Sequence, residues 1–130
     1  MEPTIAYIVT AARSIKDADS KKTSLIDVFD SFTLKKDIKS SSQFFVALIR
    51  LLGVPASLDT KVETRIENPK GDIIATTTAT GPTITGGVDI TNIFGPVEVS
   101  EEGKYYLRVW LNGKKLDDGN RYFINVVRVD

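Results

Sequence analysis

The sequence contains neither cysteine nor histidine among its 130 residues. The absence of cysteine excludes disulfides, thiol nucleophiles and cysteine-ligated zinc or iron–sulfur sites. The absence of histidine removes the side chain that most often serves as a general acid or base and as a metal ligand. The commonest kinds of enzyme site are therefore excluded, and no cofactor or metal is expected.

The chain also lacks an excess of either charge, because 17 Lys and Arg residues balance 17 Asp and Glu residues. Without clustered positive charge, a protein has little attraction for nucleic acid or for anionic membrane surfaces. The N-terminal stretch carries Glu2 and no basic region before its short apolar run, which is unlike a signal peptide. No apolar run approaches the roughly 20 residues of a membrane span. We therefore expect a cytoplasmic protein that binds neither nucleic acid nor membranes.

Short apolar runs separated by turn signals make up most of the sequence. Val, Ile, Thr, Phe and Tyr dominate these runs, as they do in half-buried β-strands. Asn68–Gly71 is typical of a type I turn, and Asn112-Gly113 is typical of a hairpin turn with positive φ at both residues. The even spacing predicts one all-β domain over residues 1–130. Its expected architecture is a two-layer antiparallel β-sandwich, immunoglobulin-like, of about seven to nine strands.

The segment Phe44–Val54 fits this pattern less simply, because it is apolar on both faces of a strand. Such a run indicates either a central strand or a short buried helix. We favour the strand, since strand signals precede and follow the segment.

The segment Tyr105–Leu111 alternates clearly. Tyr105, Leu107, Val109 and Leu111 share one face and are predicted to be core; the residues between them point the other way. Glu101–Tyr105 resembles the approach to the penultimate strand of immunoglobulin-like domains. In that motif a tyrosine hydroxyl bonds back to the backbone at a corner of the chain.

Several segments together resemble a family of small uncharacterised bacterial β-sandwich proteins. They are Lys22–Asp30, Asn68–Gly71 and the stretch from Gly103 to the hairpin at Gly113. The chain departs from that family at Lys21 and Asp27, where glycine is usual. The resemblance implies a sandwich fold and no known activity.

Acidic residues provide the other candidate sites. Asp17 and Asp19 resemble the start of a calcium loop, but Lys22 and Val28 stand where an EF-hand requires glycine and glutamate. Asp27 and Asp30 form a candidate catalytic carboxylate pair, although charges on an edge strand explain them more simply. The threonine-rich stretch 75–87 lacks the phosphate-loop pattern. No catalytic residue is therefore assigned.

The face opposite the predicted core carries Tyr106, Arg108 and Trp110, residue types that are enriched at interface hot spots. We predict that these three residues form a protein–protein interface, most simply that of a homodimer; in the alternative, another part of the chain covers them. The expected function is that of a non-enzymatic binding or assembly module. A carrier with a small-ligand pocket between its sheets is the alternative, followed by a carboxylate-based enzyme.

Overall fold

The computed structural model of the protein describes residues 2–130, which form ten strands and no helix. The segment Phe44–Val54 is a strand, as predicted, and no helix in the described chain is long and apolar enough to cross a membrane. The strands are β1 (Thr4–Lys16), β2 (Thr23–Phe29), β3 (Ser31–Lys35), β4 (Ser41–Val54), β5 (Ser57–Glu67), β6 (Ile73–Thr83), β7 (Gly86–Val99), β8 (Gly103–Leu111), β9 (Lys114–Lys115) and β10 (Phe123–Val129).

The strands form two sheets. The first sheet has the order β2-β1-β4-β7, and the second has the order β3-β10-β8-β5-β6, with β9 paired to β8. This confirms the predicted two-layer all-β sandwich, which has ten strands in the described residues where about seven to nine were expected. The prediction of purely antiparallel pairing is wrong at one place, because β3 lies parallel to β10. The chain passes from the first sheet to the second at Asp30, so β3 continues the direction of β2 beside a new neighbour.

The strand order is that of an immunoglobulin-like sandwich. β4 and β7 pair in the first sheet, as strands B and E do in such domains, while β5, β8 and β10 take the places of C, F and G in the second. β6 stays beside β5 in the second sheet, and β1 is an additional strand between β2 and β4.

The core lies between the sheets and is filled by the inward faces of both. Phe45 and Phe94 stack with ring centroids 5.2 Å apart, and Phe29 and Phe32 pack against Phe45. A cavity of about 10 Å³ remains beside Phe45 and Ile66, far below the size of a small-ligand pocket. The predicted core face of β8 is confirmed, since all four of its residues are buried: Tyr105, Leu107, Val109 and Leu111.

The predicted tyrosine corner is present at the start of β8. The Tyr105 hydroxyl donates to the carbonyl oxygen of Glu101 at 2.9 Å and accepts from the Glu101 N–H at 3.0 Å. Gly103 adopts φ 131°, and a Cβ there would come within 2.9 Å of Pro69. The corner therefore needs glycine at this position as well as the tyrosine four residues after Glu101.

The two departures from the family pattern share a backbone feature. Lys21 adopts φ 61° and Asp27 adopts φ 57°, both in the left-handed region. Side chains with a Cβ occupy this region at a cost of about 1–2 kcal/mol, and glycine occupies it freely. Both positions thus keep the backbone conformation suited to glycine although the glycines are absent.

We expect Lys21→Gly to raise the free energy of unfolding by about 0.5–1 kcal/mol. The strain it relieves exceeds the extra entropy that glycine gives the unfolded chain. Lys22→Gly is the matched control, because it removes the same side chain from the adjacent position, and it should stabilise nothing. Urea denaturation of the parent and both variants checks this. Equal midpoints for the two variants would contradict it.

Candidate interaction surfaces

The predicted interface residues lie on the outer face of the second sheet, but they are not equally accessible. Tyr106 and Trp110 are half-buried, whereas Arg108 is only 8% exposed. For Arg108 the structure therefore supports the alternative interpretation, in which another part of the chain covers the side chain. Residues 116–121, which follow β9, cover it.

Arg108 is held by acceptors from two parts of the chain. Its Nη1 donates to Asp118 Oδ1 at 2.9 Å and to the Asn120 side chain, and its Nη2 donates to Glu67 Oε1 at 3.3 Å. Asp118 is itself buried. The guanidinium thus fastens the loop after β9 to the sheet.

Opposing influences act on the ionisation of Arg108. Burial lowers the pKa of the guanidinium, but the hydrogen bonds that it donates to Glu67 and Asp118 raise it, and the net direction is upward. The side chain therefore stays charged, and it is engaged within its own chain. A partner protein would find little of it to contact.

The neighbouring aromatic rings are stacked against cations of the same chain. The Arg65 guanidinium lies 3.9 Å from the centre of the Trp110 ring, and Lys104 lies 4.6 Å from that of Phe123. Such contacts are each worth about 0.5–1 kcal/mol at exposed sites. On this face, cations and aromatic rings of the same chain are therefore paired with one another. The role of this face as an interface stays a prediction, carried mainly by Trp110 and Tyr106.

A different exposed surface lies on the outer face of the first sheet. The register aligns Val28, Ala11, Val46 and Ile93 in one row across β2, β1, β4 and β7. Phe44 adjoins this row and lies against Gly95, where a Cβ would clash with its ring. We call these five residues the apolar stripe.

The members of the apolar stripe differ in exposure in a regular way. Ile93 is 73% exposed, Phe44 67% and Val28 61%, whereas Ala11 and Val46 between them are buried. Large apolar side chains that stand singly on a surface are ordinary, but a contiguous group marks an interaction site more often. The sequence contained a signal for the apolar stripe, namely the second apolar face of the segment Phe44–Val54.

Charged and polar groups lie beside the stripe along the same face. Arg50 Nη1 donates to Asp89 Oδ1 at 2.8 Å, and this bond is the main reason why the pKa of Arg50 is raised. Tyr7 is the β1 neighbour of Arg50. An apolar centre beside a polar margin is the usual anatomy of a protein–protein interface.

The carrier alternative required a pocket between the sheets. The structure has a groove of about 450 Å³ lined by residues of both sheets, which include Ile8 and Phe29 of the first sheet, Leu107 of the second, and Tyr122. Asp30 also lines it, and this carboxylate is exposed. Because of this groove, a small-ligand carrier stays an alternative function, although the core itself is filled.

The acidic candidates do not assemble into a site. Asp17 Oδ1 accepts the N–H groups of Asp19 and Ser20, both at 2.8 Å, and these bonds lower the pKa of Asp17. Its carboxylate therefore closes its own turn. Asp27 and Asp30 are exposed. Within residues 2–130, no group of three or more acidic side chains is placed to hold a metal ion.

Comparison with known proteins adds little to the fold. No protein-family model matches the chain, and no curated protein matches it in sequence. Among solved structures, the chain is similar to the CARDB domain of a Pyrococcus furiosus protein, which was crystallised in complex with di-metal ions. The TM-score is 0.44 and the identity 15%, over 98% of this chain and 94% of that one. The immunoglobulin-like fold follows from the strand order itself.

Proposed function

We propose that this chain is a non-enzymatic binding module that contacts a partner protein through the apolar stripe. The observation that carries the proposal is the exposure of Phe44 and Ile93 on adjacent strands, with Val28 at the far end of the same row, on a sheet whose other face is already packed. In an antiparallel sheet with one face in water, the residues that point to water are normally polar. They alternate along each strand with the apolar residues of the core face. An apolar face on both sides indicates that the second face has a use.

The competing surface on the second sheet supports the proposal less well. Its cations and rings are already paired with one another, so a partner gains little by contacting them. The large side chains of the apolar stripe face water instead. Removing them from water is the larger available gain.

The size of the stripe limits the strength of the contact. Burying one large apolar side chain completely stabilises a complex by about 1.5–3 kcal/mol. Three such side chains together provide about 5–9 kcal/mol at most, whereas association costs about 4–15 kcal/mol. The stripe alone therefore supports a weak contact, and a partner must also engage the polar margin or bind more than one copy.

Photocrosslinking from the stripe tests the proposal. A photoreactive amino acid replaces Ile93 in one variant and Ile84 in another; both are exposed isoleucines, at 73% and 79%, but Ile84 lies outside the stripe. Irradiation in the source cells should give a discrete protein adduct from position 93 and none from position 84.

A second substitution links the adduct to the stripe. Phe44→Ser in the chain labelled at position 93 should lower the adduct yield about tenfold or more, because it removes one apolar anchor. Thermal melts must show that this chain is still folded. Equal adducts from positions 84 and 93, or a yield that Phe44→Ser leaves unchanged, would show that the stripe is not the contact surface.

A further inference from the structure

The outer strands of the two sheets are protected to different degrees. An edge strand exposes unpaired backbone groups, and proteins guard such edges with charges, prolines, bulges or short length. In the first sheet, β2 contains Asp27 with its left-handed backbone, and β7 contains Asp89, Glu98 and Pro96. In the second sheet, β3 is five residues long and ends at Lys35.

The remaining edge strand, β6, has little such protection. It runs for eleven residues without a charged side chain, and its proline, Pro82, is the second-last residue. Isoleucine and threonine make up most of the strand, and these β-branched residues favour strand pairing. β6 pairs with β5 along one side, so its other side is the edge of the second sheet.

The centre of β6 is also self-complementary. Residues 75–79 read Ala-Thr-Thr-Thr-Ala, which is the same in both directions. If two copies lie antiparallel with Thr77 on the two-fold axis, Thr76 of each faces Thr78 of the other, and Ala75 faces Ala79. Threonine pairs across antiparallel strands are favourable, and a two-fold contact requires just this kind of self-matching surface.

Beside the centre of β6, the charges of the neighbouring strand compensate each other. Thr76 and Thr78 are exposed and lie beside Arg65 and Glu63 of β5. Those two side chains form an ion pair at 2.6 Å, so their charges compensate each other. A second copy would therefore meet no net charge beside Thr76 and Thr78 on either molecule.

We propose that two copies of this chain pair antiparallel along β6, with the two-fold axis at Thr77, so that their second sheets join into one continuous sheet. The partner is a second copy because the centre of this edge carries no net charge and matches itself, whereas an unrelated strand would have no reason to share this symmetry. The inference does not depend on the apolar stripe. If both hold, a dimer carries two stripes, and paired weak contacts strengthen each other through avidity.

Sedimentation velocity over a concentration series tests the pairing with three proteins. The parent should dimerise. The double variant Thr76→Lys/Thr78→Lys places like charges opposite each other twice across the axis, and its dimer dissociation constant should rise about thirtyfold. The double variant Thr76→Glu/Thr78→Lys places opposite charges at the same positions and should dimerise at least as well as the parent. All these positions are exposed, and circular dichroism verifies that each variant is folded.

The possible outcomes distinguish the proposed β6 dimer from a different strand register and from a contact through the apolar stripe. A parent that stays monomeric at millimolar concentration overturns it, as does a dimer that the double lysine variant leaves intact. If the variant with opposite charges is folded but monomeric, the register about Thr77 is wrong. Ile93→Thr should leave the dimer unchanged, so failure of the stripe and failure of the β6 contact are distinguishable.

Discussion

Tyr105→Ala is expected to lower the free energy of unfolding by about 3 kcal/mol or more, as truncations of buried aromatic side chains do. Tyr105 is 3% exposed and packs with Ile66 and Ile124 in the core between the sheets. The substitution removes this packing and leaves the two backbone groups of Glu101 without the hydroxyl. Chemical denaturation, followed by fluorescence and by circular dichroism, measures the change.

Conservative variants divide this effect into packing and hydrogen bonding. Tyr105→Phe keeps the ring and should cost about 1 kcal/mol, the typical contribution of one hydrogen bond. Tyr106→Phe removes the same oxygen from the adjacent residue, on the other face of β8 and outside the corner, and should be near neutral. If Tyr105→Ala unfolds with the parent's midpoint, the corner does not stabilise the fold.

The corner shows why much of this fold was predictable. A glycine, a tyrosine two residues later and strict alternation after it are local features, and each restricts the backbone in a known way. The two predicted turns were equally local. At the first, the Gly71 N–H donates to the Asn68 carbonyl oxygen at 2.9 Å. At the second, Asn112 and Gly113 both adopt positive φ. Turns and the corner, whose conformation is set by residues close in sequence, were therefore predicted correctly.

The parallel pair and the apolar stripe depend on neighbours distant in sequence. The alternation of Ser24–Leu34 does not reveal that the chain changes sheets at Asp30, so the parallel alignment of β3 with β10 was missed. Likewise, the two apolar faces of Phe44–Val54 indicated a central strand, which β4 is. Only the sheet order shows that one of these faces is an outer one.

Which of the two interpretations applies to Arg108 could not be decided from the sequence, for a related reason. Alternation correctly placed it on the outer face of β8, but a face is exposed only if nothing covers it. The composition of residues 117–120, Asp-Asp-Gly-Asn, is typical of a solvated turn. In the structure Asp118 turns inward to the guanidinium, and the Asn120 side chain accepts a further hydrogen bond from it. That contact joins a residue of β8 to residues of the loop after β9, and the sequence of neither segment alone predicts it.

The second large effect is therefore expected at Arg108. Arg108→Ala should lower the free energy of unfolding by about 3–5 kcal/mol, the range for removing one partner of a buried ion pair. The loss leaves the Asp118 carboxylate buried without its cation, and it removes the donor that holds Glu67. Urea denaturation measures the change, and increased proteolysis at residues 116–121 would accompany it.

Arg65→Ala provides the matched control. Arg65 lies directly opposite Arg108 in the neighbouring strand, on the same face, and also binds a carboxylate, that of Glu63. Its side chain is 34% exposed, against 9% for Arg108. Ion pairs near the surface contribute about 0–1 kcal/mol, so Arg65→Ala should cost about 1 kcal/mol or less even with the Trp110 contact. Similar losses for both variants would mean that burial does not distinguish the two arginines, and that the loop after β9 is not fastened by Arg108.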